Sequence, residues 1–136
     1  MRELTTVPPY EMELTVQHSD IDQLGHVNNV VYLRWVQDAA TSHWYSAATE
    51  EQKSNLLWVV VKHEIEYKRP AMESDELVIR TWVGQASRRL FERHTEILRK
   101  SDKKVIVKAV TYWAPIDAKT KKPIKASLDV YAMFST

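Results

Sequence analysis

The first regular pattern along the chain is a strict alternation of apolar and polar residues over positions 10–17, which predicts a half-buried β-strand. A polar stretch without periodicity follows over 18–29 and predicts a loop. From 30 to 49 apolar residues recur at spacings of three and four, which indicates an amphipathic helix of about five turns. Asn28 or Asn29 is suited to cap this helix, because an amide oxygen can accept from the free N–H groups of the first turn.

After the helix, every strong pattern indicates β-strands. Runs that are rich in β-branched and aromatic residues, or that alternate in polarity, cover 57–68, 76–83, 88–99 and 105–113. Consecutive strands joined by tight turns pair antiparallel, and the single long helix must then cover one face of the sheet. The expected fold class is α+β, in a single domain spanning the whole chain. The apolar residues over 128–134 fit either a helical turn or an edge strand.

Composition narrows the possible functions. The 136 residues include five Trp, six Tyr and two Phe, and 27% are charged, so a folded domain is expected rather than a disordered chain. The net charge of +1 provides no basic field for nucleic acid. Cysteine is absent, which excludes disulfides, thiolate metal sites and a cysteine nucleophile. No cluster of His, Asp and Glu has the spacing of metal ligands, and we expect no metal site.

The amino-terminal residues contain no apolar segment of the signal-peptide type, and no stretch approaches the length of about 18 apolar residues that a membrane-spanning helix needs. Secretion by a signal peptide and insertion into a membrane are therefore not expected. The prediction that follows is a cytoplasmic location.

The chemistry-bearing residues concentrate in segment 19–32, directly before the predicted helix. Two carboxylates, one histidine and two asparagines lie there, together with Gly25, expected where close backbone approach leaves no room for a side chain. A helix start stabilises negative charge through its free N–H groups and dipole. A carboxylate beside it can act as nucleophile or general base toward a carbonyl whose oxygen rests on those groups. Asp and Asn are also ordinary capping residues, so the residues alone leave both interpretations open.

The run D-x-D-x-x-G-H-V-N-N-x-x-Y that begins at Asp20 resembles the signature of hotdog-fold acyl-CoA thioesterases, specifically the 4-hydroxybenzoyl-CoA thioesterase-like group. The strand that ends at Pro70 is a further similarity, and the resemblance covers nearly the whole chain. It implies a hotdog fold, in which a curved antiparallel sheet wraps around one long helix. It also implies an active site at a dimer interface, so self-association to a dimer or tetramer is expected.

The resemblance further implies that Asp22 is the catalytic carboxylate, which would attack the thioester carbonyl or activate a water molecule. The carbonyl oxygen would rest on backbone N–H groups near Asn28, Asn29 and Val30. His26 would orient Asp22 or the substrate, or would pack the loop as a partly buried imidazole.

The remaining carboxylate of the segment, Asp20, is expected to order the loop by accepting from backbone N–H groups. Tyr32, a candidate for substrate binding, falls on the core face of the helix and is expected to pack with a polar tip. His63 either contributes to the site of a partner subunit or serves the core or the interface. Arg88 and Arg89 fit a clamp for the phosphates of coenzyme A, because guanidinium groups bind phosphate through paired hydrogen bonds, although a solvated strand start explains them equally well.

Three functions follow from these features. The first is hydrolysis of small, medium-chain or aromatic acyl-CoA, and the second is non-hydrolytic binding of acyl thioesters. The third, hydration or dehydration, is disfavoured, because hotdog hydratases carry Asn-Pro between their Asp and His, whereas Gln23, Leu24 and Gly25 separate Asp22 from His26. Plant acyl-carrier-protein thioesterases are similar around Asp22 and His26 but carry Asn at the position of Leu24, so a full plant-type constellation is absent. No cofactor is expected, since coenzyme A is part of the substrate.

Overall fold

A computed structural model describes residues 9–134. The strands, in chain order, are β1 (Tyr10–Thr15), β2 (Leu56–Tyr67), β3 (Glu76–Ala86), β4 (Phe91–Arg99) and β5 (Val105–Asp117). The helices are α1 (Asn29–Ala47), α2 (Glu50–Asn55) and α3 (Leu128–Phe134). No helix within 9–134 has the length and apolar character required to span a bilayer. Residues 1–8, to which the expectation about a signal peptide applies, lie outside the described residues.

The five strands form one antiparallel sheet in the order β1-β3-β4-β5-β2. The long helix α1 packs on the inner face of this curved sheet, which confirms the predicted α+β class. As predicted for strands that are consecutive in the sequence, β3 pairs with β4 and β4 pairs with β5. The expected pairing of β2 with β3 is wrong, because the segment 68–75 is not a tight turn. It passes the start of α1, where the Ala71 carbonyl accepts from the Val27 N–H at 3.0 Å.

The register of β2 contains a bulge that decides which of its side chains face α1. Its pairing with β5 shifts between Val60 and Lys62, so one extra residue reverses the alternation of faces. Trp58 before the shift contacts the ring of a helix residue, and His63 and Ile65 after it also face the helix side of the sheet. The bulge therefore allows one strand to present even positions and then odd positions to the same core.

The core consists of two clusters, one at each half of α1. The cluster near the start of α1 includes Tyr32 and Val36, packed on buried residues of β3, β4 and β5. The cluster near the end of α1 is built around Trp44 and includes Val130 and Phe134 of α3. The Tyr131 N–H donates to the Ser127 carbonyl at 2.9 Å, which is a helical hydrogen bond, so the carboxy-terminal apolar segment forms a helix and not an edge strand.

One edge of the sheet is apolar. Leu57, Val59 and Val61 of β2 are 41, 40 and 62% exposed in the single chain. No strand within 9–134 pairs with the outer side of β2. An edge strand of this length carries a row of free backbone N–H and C=O groups, which readily pair with a strand of another chain.

Candidate active site

Asp22 begins a tight turn directly before α1. The Gly25 N–H donates to the Asp22 carbonyl at 3.1 Å, and the Asp22 N–H donates to the His26 carbonyl at 2.8 Å. A bridge between Ile21 and Val27 closes this small loop. An added Cβ at Gly25 would meet no atom of residues 9–134 within 4 Å, so contacts within the chain do not require glycine here. Glycine is favoured instead by its φ of +82°, a left-handed conformation that side chains disfavour.

The carboxylate of Asp22 is half-buried and only partly engaged. Its Oδ1 accepts from the Leu24 N–H at 2.8 Å, whereas Oδ2 makes no hydrogen bond to any residue of 9–134. Burial raises the pKa of Tyr32, and the negative charges of Asp75 and Asp22 add to that rise. Asp22 thus lies near the buried start of α1 with one oxygen available to a water molecule or a carbonyl carbon.

Asp20 fixes the conformation of the loop through hydrogen bonds of its side chain and its carbonyl. It is 8% exposed, its Oδ2 accepts from the Gln17 N–H at 2.9 Å, and its Oδ1 lies 3.4 Å from the guanidinium of Arg34. Its carbonyl accepts from the Asn28 N–H at 2.9 Å. These contacts agree with the predicted loop-ordering role, because both carboxylate oxygens have partners within the chain.

The start of α1 is capped by Asn28. Its Oδ1 accepts from the Val30 N–H at 3.0 Å, and its carbonyl accepts from the Val31 N–H at 2.8 Å. Of the three predicted oxyanion donors, the N–H groups of Asn28 and Val30 are therefore engaged within the chain. The N–H of Asn29 takes part in neither capping bond, and Asn29 and the neighbouring Val30 are exposed.

His26 and Tyr32 differ sharply in their environments. His26 is half-buried, and its ring makes no hydrogen bond to the part of the chain that the structure describes. Tyr32 is 2% exposed, and its hydroxyl accepts from the Ala71 N–H at 2.9 Å. Its ring centroid lies 5.8 Å from that of Tyr67. Tyr32 thus joins the helix start to the segment after β2.

His63 lies on the inner face of the sheet, opposite the middle of α1. Its Nδ1 is 2.9 Å from Thr111 Oγ1, and its Nε2 is 3.4 Å from the amide nitrogen of Gln37. Burial lowers the pKa of His63. None of its hydrogen bonds reaches the Asp22 loop, so a single chain does not bring the two predicted residues into contact.

Arg88 and Arg89 lie in the turn between β3 and β4, not at the start of a strand. Arg88 Nε donates to the Ala126 carbonyl at 2.7 Å, while Arg89 is exposed. Ala126 belongs to the cluster around Trp44, near the end of α1. Within one chain, the arginine pair and Asp22 therefore lie toward opposite ends of the helix.

The sequence reasoning missed one polar cluster beneath α1. Arg93 is 5% exposed, and its Nη1 donates to His43 Nδ1 and to Thr81 Oγ1, each at 3.1 Å. The sequence does indicate that Arg93 is buried, because the alternation over β4 places it on the same face as the buried Phe91 and Thr95. A charged residue at a core-facing position of a strand is unusual and should have been singled out.

The chemistry available in the Asp22 loop is that of a carboxylate beside a helix start. Within 9–134, no three His, Asp or Glu side chains are grouped so that they could hold a metal ion. A long helix in the curve of a five-stranded antiparallel sheet, with this loop at its start, defines the hotdog class of thioester hydrolases. Residues 16–134 match the model of the thioesterase-like superfamily, and the chain belongs to that family.

Individual relatives agree with this assignment. Over 116 residues the chain is 27% identical to the long-chain acyl-CoA thioesterase FadM of Escherichia coli K12, covering 84% of this chain and 88% of FadM. A 1,4-dihydroxy-2-naphthoyl-CoA thioesterase from Synechocystis superposes with a TM-score of 0.81 at 21% identity, covering 93% of this chain and 95% of the other. A Staphylococcus aureus protein solved in complex with CoA superposes with a TM-score of 0.84 at 11% identity, covering 98% and 84%. The two structural matches confirm the hotdog fold.

Proposed function

We propose that the protein hydrolyses acyl-CoA thioesters, with Asp22 as the catalytic carboxylate. The observation that carries the proposal is the partly engaged Asp22 carboxylate at the start of α1, in a chain of the thioesterase-like superfamily. The Asn29 N–H and the positive end of the helix dipole would stabilise the negative charge that develops on the carbonyl oxygen.

In this reaction an oxygen atom adds to the thioester carbonyl carbon, and the carbon–sulfur bond then breaks. The oxygen comes from a water molecule whose proton Asp22 accepts, or from Asp22 itself. In the second case a mixed anhydride forms on Asp22, and a water molecule then hydrolyses it to regenerate the carboxylate. The products are the free acid and the thiol, whose sulfur takes up a proton. His26 would orient Asp22 or the acyl group, since the backbone of the two residues is already hydrogen-bonded.

Coenzyme A is the proposed carrier of the acyl group. Supporting this choice, the curated relative FadM is named an acyl-CoA thioesterase, and a structural neighbour was solved with CoA. The exposed Arg89 and the guanidinium of Arg88 would contact the phosphates. Small, medium-chain and aromatic acyl groups are the proposed substrate range.

The working unit is proposed to be a dimer formed along β2, with a tetramer as a further assembly of such dimers. The unpaired edge strand, with its exposed Val59 and Val61, supports it, because pairing two copies would continue the sheet and satisfy the free backbone groups of both edges. Such pairing would also bring His63 of one subunit toward the site of the other.

The test is thiol release from a panel of acyl-CoA thioesters by wild type and by Asp22→Asn. Asn preserves the size of the side chain and its bond to Leu24 but cannot accept a proton or form an acyl intermediate. We expect a loss of kcat/KM of about a hundredfold or more, the usual contribution of a general base. The matched control is Asp129→Asn, which removes an exposed carboxylate from the first turn of α3 and should change kcat/KM by less than about twofold.

Hydrolysis that is equally fast in Asp22→Asn would reject Asp22 as the catalytic group. Absence of hydrolysis with every thioester, while acyl-CoA still binds, would favour the non-hydrolytic binding protein. Reversible hydration of an enoyl-CoA would favour the hydratase.

A further inference from the structure

A cavity of about 180 Å³ lies beneath the second half of α1, away from the Asp22 loop of the same chain. Its walls come from α1, α2, β2, β3, β4, β5 and α3, and six of the thirteen lining residues are aromatic. They include Trp44, Trp58, Phe91, Trp113, Phe134 and the buried Arg93. Lys53 of α2 also lines the cavity, and its charge is paired with Glu50 at 2.7 Å. A cavity of roughly 150 Å³ accommodates a benzene molecule, so this one suits a single substituted ring or a chain of a few carbons.

The charge of Arg93 has no counter-ion in the described chain. Its hydrogen-bond partners, His43 and Thr81, are neutral acceptors, and the ring of Phe134 lies 5.5 Å from its guanidinium carbon. None of the ten ion pairs found within 9–134 includes it. Burial lowers the pKa of Arg93 to about 10, which still leaves it charged at neutral pH.

A buried cation without a counter-ion is costly, whereas the same cation paired with a carboxylate gains strong charge-assisted hydrogen bonds. The indole N–H groups of two lining residues, Trp58 and Trp113, are also buried and make no hydrogen bond within 9–134. A cavity with apolar walls and one positive charge that is unpaired among the described residues is complementary to a ring-sized ligand that carries an anionic oxygen.

The position of the cavity relates it to the thioester site of a partner subunit. Within one chain, Tyr32 at the start of α1 lies by Tyr67 at the end of β2, and Trp44 near the end of α1 lies by Trp58 at the start of β2. When β2 pairs antiparallel with β2 of a second copy, the start of each strand lies beside the end of the other. The cavity of one subunit then faces the start of α1, and so the Asp22 loop, of the other.

We propose that this cavity holds the acyl portion of the substrate and that Arg93 selects compact acyl groups ending in a carboxylate. The inference rests on the proposed function, because it assigns the acyl specificity of the same thioester site. Arg93 acts here as a binding residue, remote from the bond that is cleaved.

The test compares two thioesters that differ only in charge at the far end, 4-carboxybenzoyl-CoA and 4-carbamoylbenzoyl-CoA. In wild type we expect kcat/KM for the carboxylate to exceed that for the amide by about tenfold or more. In Arg93→Met, which retains an unbranched apolar stem but no charge, the ratio should fall to about one. Equal rates for the two thioesters in wild type, or an unchanged ratio in Arg93→Met, would overturn the proposal.

Arg80→Met provides the matched control. Arg80 lies on β3 with its side chain on the outer face of the sheet, paired with Glu11 at 3.1 Å. The same chemical change there should leave the ratio of the two thioesters at its wild-type value. The comparison within wild type is decisive even if Arg93→Met does not fold.

A binding measurement separates failure of the cavity from failure of the catalytic proposal. Benzoate and its neutral analogue benzamide are titrated while tryptophan fluorescence is followed, since three tryptophans line the cavity. Benzoate should bind at least about tenfold more tightly, and Arg93→Met should remove the difference. If no thioester of the acyl-CoA panel is cleaved, the proposed function fails, but this titration still tests the cavity. Equal binding of benzoate and benzamide would reject the cavity proposal.

Discussion

The buried hydroxyl of Tyr32 accepts a hydrogen bond from the backbone N–H of Ala71, which is itself fully buried. This bond joins the start of α1 to the segment that carries the chain from one edge of the sheet toward the other. The Ala71 carbonyl completes the connection by accepting from Val27. The loop that holds Asp22 and the start of α1 are therefore both bonded to the segment around Ala71, which lies far from them in the sequence.

Replacing Tyr32 with Phe should destabilise the protein by about 1–3 kcal/mol, because the Ala71 N–H would be left buried without an acceptor. Urea denaturation measures the free energy of unfolding. Tyr45→Phe is the control, since Tyr45 is 62% exposed and its loss of a hydroxyl should cost less than about 0.5 kcal/mol. Equal effects of the two substitutions would contradict the structural role assigned to Tyr32.

His43 makes folding dependent on pH. Burial, together with the charge of Arg93, lowers the pKa of His43 to about 4 from 6.5. Between these values the unfolded chain binds a proton that the folded chain does not, so stability rises with pH. Neutral His43 therefore makes its full contribution to the free energy of unfolding above pH 6.5. This contribution is lost as the pH falls toward 4, and the total loss is up to about 3 kcal/mol.

The free energy of unfolding of His43→Gln should therefore vary less between pH 4 and 6.5 than that of wild type. Urea denaturation at several pH values gives the comparison. Tyr45→Phe should retain the wild-type slope, because it changes no histidine and no carboxylate. A His43→Gln slope that matches wild type would show that His43 is not held neutral in the folded protein.

Gly25→Ala should destabilise the protein by about 1–2 kcal/mol, since the backbone there is left-handed and a Cβ opposes that conformation. Asn tolerates positive φ better than Ala, so Gly25→Asn should lose less. Thermal or urea denaturation orders the three proteins. A steric origin would predict the reverse order, because Asn is the larger side chain.

Val61→Lys should disrupt the proposed dimer. Val61 lies at the bulge of β2 and is 62% exposed in the single chain, and lysines at this position of the two copies would place like charges along the paired edge. Light scattering at micromolar concentration should give a dimer or tetramer for wild type and a monomer for the variant. Leu128→Lys, a substitution at an exposed α3 position, should leave the mass unchanged. A monomeric wild type, or a variant of unchanged mass, would reject the edge as the interface.

Local pattern was sufficient for α1, for the approximate positions of the strands and for the segment that carries the candidate chemistry, whereas it did not predict α2 and left α3 undecided. The three- and four-residue spacing through Tyr32, Val36 and Ala39 identified α1 and its buried face, and Asn28 was one of the two residues predicted to cap it. Both features depend on residues a few positions apart, so neighbouring residues contain the necessary information. The same holds for Asp22, whose turn is closed by hydrogen bonds within five residues.

The sequence by itself therefore determined the class of the fold, the long helix and the place of the carboxylate before it. Only the tertiary structure decided that β2 lies at the edge beside β5, that its bulge turns His63 toward the helix, and that Arg93 is buried without a counter-ion among residues 9–134. These properties depend on pairings between strands far apart in the chain. A strand's own alternation specifies two faces, but which neighbour it pairs with, and which charges remain unpaired there, is set by the packing of the whole sheet.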